Sequence, residues 1–237
     1  MRWEFTQAEF AYAWDQLGSD RYPAPLVVRP EVSSQLAWET LKSELRVRFP
    51  VLQDPDLLPV LRTAADPDMS LIMIGARKRP LRAYGAVTSN IGVALVQRPG
   101  ADDESGGNIV VQVGSPALVP KVFAAVAGDQ PAGSHGPLVE SLRRLEASTQ
   151  SAGSVRDQPS AVERIYRLLD APRVGQGHIE VEPDRHLDRR RPSGYFSWFD
   201  VEGDGRYTYT RRHGDFHIDP CSTEVFRTTI GRLMEIV

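Results

Sequence analysis

Apolar residues recur along this chain with two different periods, and the switches between them mark alternating helical and stranded stretches. In "FTQAEF" Thr6 stands at an N-cap position and Glu9 three residues on, so each side chain can satisfy the other's free backbone N–H, with Phe5 and Phe10 at the two staple positions. The spacing predicts a helix from about Gln7 to Leu17, with Phe10, Trp14 and Leu17 on one face and Gly18 as its C-cap. Pro23 and Pro25 then impose extended backbone, and a short strand ending near Arg29 is expected. Trp38, Leu41 and Leu45 return at helical spacing in "SSQLAWETLKSEL". A further helix is expected with Asp54 as cap, Pro55 at its first position and Pro59 early enough to be tolerated.

The period then shortens. "MSLIMIGAR", "LRAYGAVT", "NIGVALVQR" and "NIVVQVG" are short apolar runs separated by turn residues and read as consecutive antiparallel strands, with acidic, glycine-rich "RPGADDESGG" as a long exposed hairpin loop. "SPALVPKVFAAVAG" predicts a helix capped by Ser115 with Pro116 at its first position. "GDQPAGSHG" and "STQSAGSVRDQPS" read as connectors, and "PLVESLRRLEA" between them places Leu138, Leu142 and Leu145 on one helical stripe. "SAVERIYRLLD" repeats the capping box with Ser160 and Glu163. Strands return as "GHIEVEP", "YFSWFDV", "RYTYTRR" and "DFHIDP", and a helix from Pro220 carries Phe226, Ile230, Leu233 and Val237 on one stripe. The order helices, strands, helix thus occurs twice, which predicts two pseudo-equivalent halves, about 1–130 and 131–237, within one domain spanning 1–237.

A chain of 237 residues can bury a substantial core without a disulfide or metal staple. With 28 Lys and Arg against 31 Asp and Glu, the formal charge of −3 gives no electrostatic reason to expect nucleic acid or an anionic membrane as partner. The single cysteine, Cys221, cannot form an internal disulfide, and no run approaches the roughly 20 apolar residues that span a bilayer. A soluble cytoplasmic protein without stable membrane insertion is expected.

Candidate chemistry is sparse. Asp200, Glu202, Asp204 and Gly205 fall on the first, third, fifth and sixth positions of an EF-hand loop, but the twelfth is Arg211 and the flanks are aromatic, so "EGDG" reads as a hairpin turn. On a strand His178, Glu180 and Glu182 point to one face, with His186 able to reach back; that set defines the alternative reading, a small metal-dependent hydrolase, against the plainer one of a half-exposed strand. His213 and His217 do not converge in a strand and turn, and Cys221 at a helix start reads as structural rather than as a reactive thiol. No nucleophile elbow, Walker A or dinucleotide fingerprint occurs, and no cofactor is expected. "RKRP" (77–80) and "RHLDRRRP" (185–192) are basic loops whose plain reading is a solvated turn.

Two stretches carry costly side chains in fixed contexts. Trp3, Phe5, Thr6, Glu9, Phe10, Trp14, Gly18, Asp20, Pro23 and Pro25 form the first; Trp198, Asp200, Gly205, Arg206 and Tyr207 form the second. Together they resemble the EspG family of actinobacterial ESX (type VII) secretion-associated proteins. The resemblance implies an α+β fold of two quasi-symmetric halves around a central antiparallel sheet, with flanking helices and a C-terminal helical bundle. It also implies a cytosolic chaperone, not an enzyme, that binds the helical tip of the PPE protein in a PE–PPE heterodimer. By their place in the family, Arg77, Lys78 and Arg79 are the expected partner-binding residues, in a loop that is short here, with the C-terminal half of the sheet as the rest of the surface. Exposed strand edges leave a homodimer open.

Overall fold

The computed structural model describes residues 1–19, 21–49, 54–148, 159–183 and 194–236. The chain runs β1 (Arg2–Phe5), α1 (Gln7–Asp15), α2 (Gln35–Arg48), α3 (Leu57–Ala65), β2 (Met69–Arg77), β3 (Arg79–Thr88), β4 (Ile91–Pro99), β5 (Gly106–Gly114) and α4 (Leu118–Ala127). It continues as β6 (Leu138–Ser141), α5 (Leu142–Ser148), α6 (Ala161–Leu169), β7 (Arg173–Pro183), β8 (Gly194–Val201), β9 (Arg206–Arg212), β10 (Asp215–Pro220) and α7 (Thr223–Ile236). It is an α+β fold, with the ten strands in one sheet ordered β1-β5-β4-β3-β2-β7-β8-β9-β10-β6.

Each run of four consecutive strands is an antiparallel meander, and the strand that precedes each run, β1 or β6, pairs with the last strand of its own meander. The two meanders join through their first strands, β2 and β7, antiparallel from Met69↔Pro183 to Ala76↔Gln176. Helices sort onto the faces accordingly. On the front face α1–α3 cover one end of the sheet around Phe10, Trp14, Leu61, Val93 and Leu95, and α5–α6 cover the other around Ile165, Phe199, Tyr207 and Ile218. On the back face α4 and α7 pack on each other across the middle, over Leu71, Met73, Ile179, Phe196 and Trp198.

Local chemistry sets several boundaries. Both capping boxes form: Thr6 with Glu9 and Ser160 with Glu163. Helix α1 stops at Asp15, two residues before the expected end, and Gly18 takes a left-handed φ of +70°. The strand expected near residues 23–29 does not form. Ala24–Pro25 is a cis peptide, and Val27 is instead held by the Gln97 side chain, which accepts from its N–H (2.8 Å) and donates to its carbonyl (2.7 Å). "PLVESLRRLEA" is also corrected: Leu138–Ser141 is strand β6 on the edge of β10, and only the remainder is helical. The helices expected from Asp54, Ser115 and Pro220 begin a few residues later, after turns.

Back-face packing depends on two glycines that face each other across β2 and β7. A Cβ on Gly177 would lie 2.2 Å from the Trp198 ring and one on Gly75 would lie 3.2 Å from it, so only bare backbone lets the indole lie flat over the sheet.

Candidate functional site

The two helical caps of the front face leave its middle uncovered by any described helix. Antiparallel register puts Ser70, Ile72 and Ile74 of β2 opposite Glu182, Glu180 and His178 of β7, and the last two opposite Tyr195 and Ser197 of β8. Residues directly opposite one another share a face, so these eight side chains form a strip across the centre of the sheet. Their alternates, Leu71, Met73, Ile179, Val181 and Phe196, are buried under α4 and α7. Ile74 retains 54% of its surface and Tyr195 46%, which is unusual for large side chains at the centre of a ten-stranded sheet.

Within the strip His178 Nδ1 lies 2.9 Å from Ser197 Oγ, and its ring leans on Tyr195 at 5.7 Å between centroids. At the edge nearest α3, Tyr84 donates to the Ala64 carbonyl (3.1 Å); burial, with the nearby Glu182 charge, pushes its hydroxyl up to about 12. The strip is therefore apolar on β2, acidic on β7 and aromatic on β8.

The three basic residues expected to bind a partner occupy the β2–β3 hairpin at the end of this strip, in three different settings. The ladder closes at Arg77↔Arg79, so Lys78 alone is the tip, exposed and with φ +51°. Arg79 donates to the Gly100 carbonyl and lies 3.6 Å from Asp103, both in the β4–β5 loop. Arg77 alternates onto the back face, where Nη2 donates to Asp200 Oδ2 at 3.1 Å. Of the three, Lys78 is the exposed one with no hydrogen-bond or ion-pair partner among the described residues.

Asp200 anchors the centre of the opposite layer. It and Arg206 have no exposed surface; Arg206 Nε and Nη2 donate to its two oxygens at 2.7 and 3.1 Å. The same guanidinium donates to the carbonyls of Ala127 and Gly128 at the C-terminal end of α4, where the helix dipole favours a cation, and lies 4.6 Å from the Phe226 ring centre on α7. The rest of the acidic loop is a hairpin turn, as its sequence predicts. Gly203 supplies a φ of +75°, and Asp204 accepts from the Tyr207 hydroxyl and from the Ser134 N–H. Burial draws the Asp204 carboxyl upward, but these hydrogen bonds outweigh it and hold it below its ordinary range.

The groups considered for chemistry are dispersed or engaged. His186 and the basic loop 185–192 lie outside the described residues. Among the described residues no three His, Cys, Asp or Glu side chains are grouped so as to hold a metal ion. Cys221 is buried, and burial pushes its thiol up to about 12, so it is not a thiolate at neutral pH. No described helix is long and apolar enough to cross a membrane.

Ile72, Ile74 and Tyr195 are missing from the residues that motif reasoning singles out. The signal for Ile72 and Ile74 lies in "MSLIMIGAR", which is apolar on both faces from Leu71 to Ile74, where a strand with one solvated face would alternate.

Fold and strip together define a class: α+β proteins with one continuous antiparallel sheet, clamped by helices at both ends of one face and across the middle of the other. The chain belongs to the EspG family, whose family model matches residues 6–232. Among solved structures it is similar to the Mycobacterium tuberculosis type VII secretion system chaperone EspG5, determined in complex with the PE25–PPE41 dimer. The TM-score is 0.66 at 13% sequence identity, covering 100% of this chain and 97% of that one, and it establishes the shared fold. No curated protein matches the chain.

Proposed function

We propose that this chain is a cytoplasmic chaperone of an ESX (type VII) secretion system that binds the helical tip of a PPE-type protein in a PE–PPE heterodimer, and that it performs no chemistry itself. Membership of the EspG family and the shared fold with a chaperone solved on such a dimer support the reading. The observation that carries it is the open strip on β2, β7 and β8. Three strands about 4.8 Å apart present a trough of about 10 Å, close to the roughly 10–12 Å diameter of a helix with its side chains. Ile74 and Tyr195, with half-buried Ile72 at the border of the α1–α3 core, offer apolar contact to a tip that would otherwise aggregate. Glu180 and Glu182 run along its middle strand, with Ile72 and Ile74 on one side and Tyr195 on the other, and Lys78 stands at its end, giving polar contacts that fix register. The surface so defined includes Lys78 directly, with Arg77 and Arg79 behind it.

One structural domain of two halves, meeting near residue 130, suits this role. The β2–β7 junction then falls at the middle of the binding face, and the paired α4 and α7 back it from behind. The metal-dependent hydrolase built on His178, Glu180, Glu182 and His186 gains no observation in its favour: His178 is engaged with Ser197.

Co-expression with candidate PE–PPE pairs followed by size-exclusion chromatography tests the proposal. A stable complex with at least one pair, lost when Ile74→Glu places a charge in the strip, is expected. A folded protein that binds none of the pairs would refute it.

A further inference from the structure

The β2–β3 hairpin is tied down on both sides of its one-residue tip. On one side Arg79 is bonded to the β4–β5 loop; on the other Arg77 reaches back to Asp200, 123 residues away in sequence. Arg77 also fits a slot cut for it. A Cβ on Gly128 would lie 2.7 Å from its Nη1, and one on Gly175 would lie 3.2 Å from its Nε and 2.9 Å from Asp200 Oδ2. Replacing either glycine by any other residue would push the guanidinium out. Asp200 already has a bidentate partner in Arg206, so Arg77 is a second cation on one buried carboxylate. Arg77 Nε and Arg206 Nη1 have no hydrogen-bond partner among the described residues. Charge neutrality at Asp200 does not require Arg77; what Arg77 adds is a fixed attachment of the hairpin tip to β8 and to the end of α4.

We infer that Arg77 is a positioning residue: a latch that, held by Asp200 in the Gly128–Gly175 slot, fixes the β2–β3 hairpin so that Lys78 and the adjoining strip are presented in one geometry before the partner arrives. The inference rests on the strip being the partner surface. It deepens that reading by making the short hairpin a rigid template, so recognition favours partners that match it as it stands. Preorganisation of this kind removes the ordering cost of a mobile tip from the binding step.

The test uses the full chain carrying Arg77→Met, which keeps the aliphatic stem, removes the guanidinium and leaves the Asp200–Arg206 pair intact. Amide hydrogen exchange at residues 75–79 is expected to rise at least about tenfold over wild type, with β4, β5 and β9 unchanged. Affinity for a PE–PPE pair that wild type binds should fall about tenfold, the loss that ordering a few side chains entails. Lys78→Ala should weaken binding while leaving exchange at 75–79 as in wild type. Wild-type exchange at the hairpin in Arg77→Met overturns the latch, even where wild type binds its partner. Absence of any wild-type complex refutes the chaperone reading instead. If Arg77→Met does not fold, Arg77→Lys, which keeps a cation in the slot without the fork, is read by the same two results.

Discussion

Replacing Asp200 by Asn leaves two guanidinium groups facing a neutral side chain in the middle of the back-face layer. Asp200 and Arg206 have no exposed surface, and Arg206 Nε lies 2.7 Å from a carboxylate oxygen, so solvent cannot take over the lost charge. At an effective dielectric constant near 20, each pair of charges about 4 Å apart is worth about 4 kcal/mol before desolvation. Arg77 retains 29% of its side-chain surface and recovers most of its share from water. Arg206 cannot, and breaking a buried pair by removing one member costs about 3–5 kcal/mol. For a chain of this length that corresponds to a fall in Tm of about 6–20 °C. Urea unfolding followed by circular dichroism, on wild type, Asp200→Asn, Arg206→Met, Arg77→Met and the double variant Asp200→Asn/Arg206→Met, measures it. Arg77→Met should cost no more than about 1 kcal/mol. The double variant should lose less than its two single variants summed, because the orphaned charge goes with the carboxylate. A loss below about 1 kcal/mol in Asp200→Asn would refute the reasoning, since Asp200 would then not be compensating a buried charge.

Three further outcomes follow from separate parts of the fold. Gly177→Ala, whose new methyl would meet Trp198 at 2.2 Å, should destabilise by about 1–3 kcal/mol in the same unfolding assay and shift Trp fluorescence; wild-type stability would contradict the packing described. The Tyr84 hydroxyl is raised to about 12 from 10.0, so its contribution is complete below pH 10 and is lost as pH rises toward 12. Tyr84→Phe should therefore show about 1.5–2 kcal/mol less loss of stability than wild type between pH 9.5 and 11.5, by urea unfolding. Cys221, with its thiol at about 12, should react with a thiol reagent at pH 8 only as fast as the protein unfolds; stoichiometric labelling of folded protein within seconds would disprove its burial.

The parts of this fold that are legible in sequence are those whose causes are local. Thr6 with Glu9 and Ser160 with Glu163 predict two helix starts to the residue, because a capping box needs only four consecutive positions. The eight meander strands follow from apolar alternation between turn residues. Where the cause is distant the prediction fails. Leu138, Leu142 and Leu145 make a convincing helical stripe, yet pairing with Ile218 and Phe216 on β10 turns its first part into strand β6. The two prolines near residue 25 sit instead in a turn that the Leu26 N–H closes on the Pro23 carbonyl at 3.1 Å, and the Gln97 side-chain amide, not a neighbouring strand, holds Val27 beyond it.

Site residues divide in the same way. The turn at Gly203 and the pairing of Asp200 with Arg206 lie six residues apart and are foreseeable from the hairpin. The partnership of Arg77 with Asp200 spans the two meanders, and sequence offers only the basic loop "RKRP". The open strip is harder still, since it is defined by where α1–α3 and α5–α6 stop and not by any motif of its own.

That strip is the centre of the account, and the footprint of a bound partner tests it most directly. Amide hydrogen exchange of the chain alone and in complex with a PE–PPE pair should show protection gathered on β2 from Ser70 through the hairpin tip at Lys78, on β7 from His178 to Glu182 and on β8 at Tyr195 to Ser197. Helices α4 and α7 on the opposite face should exchange as in the free protein. Protection confined to α4 and α7, or to the outer strands β1 and β6, with the strip unchanged, would contradict it.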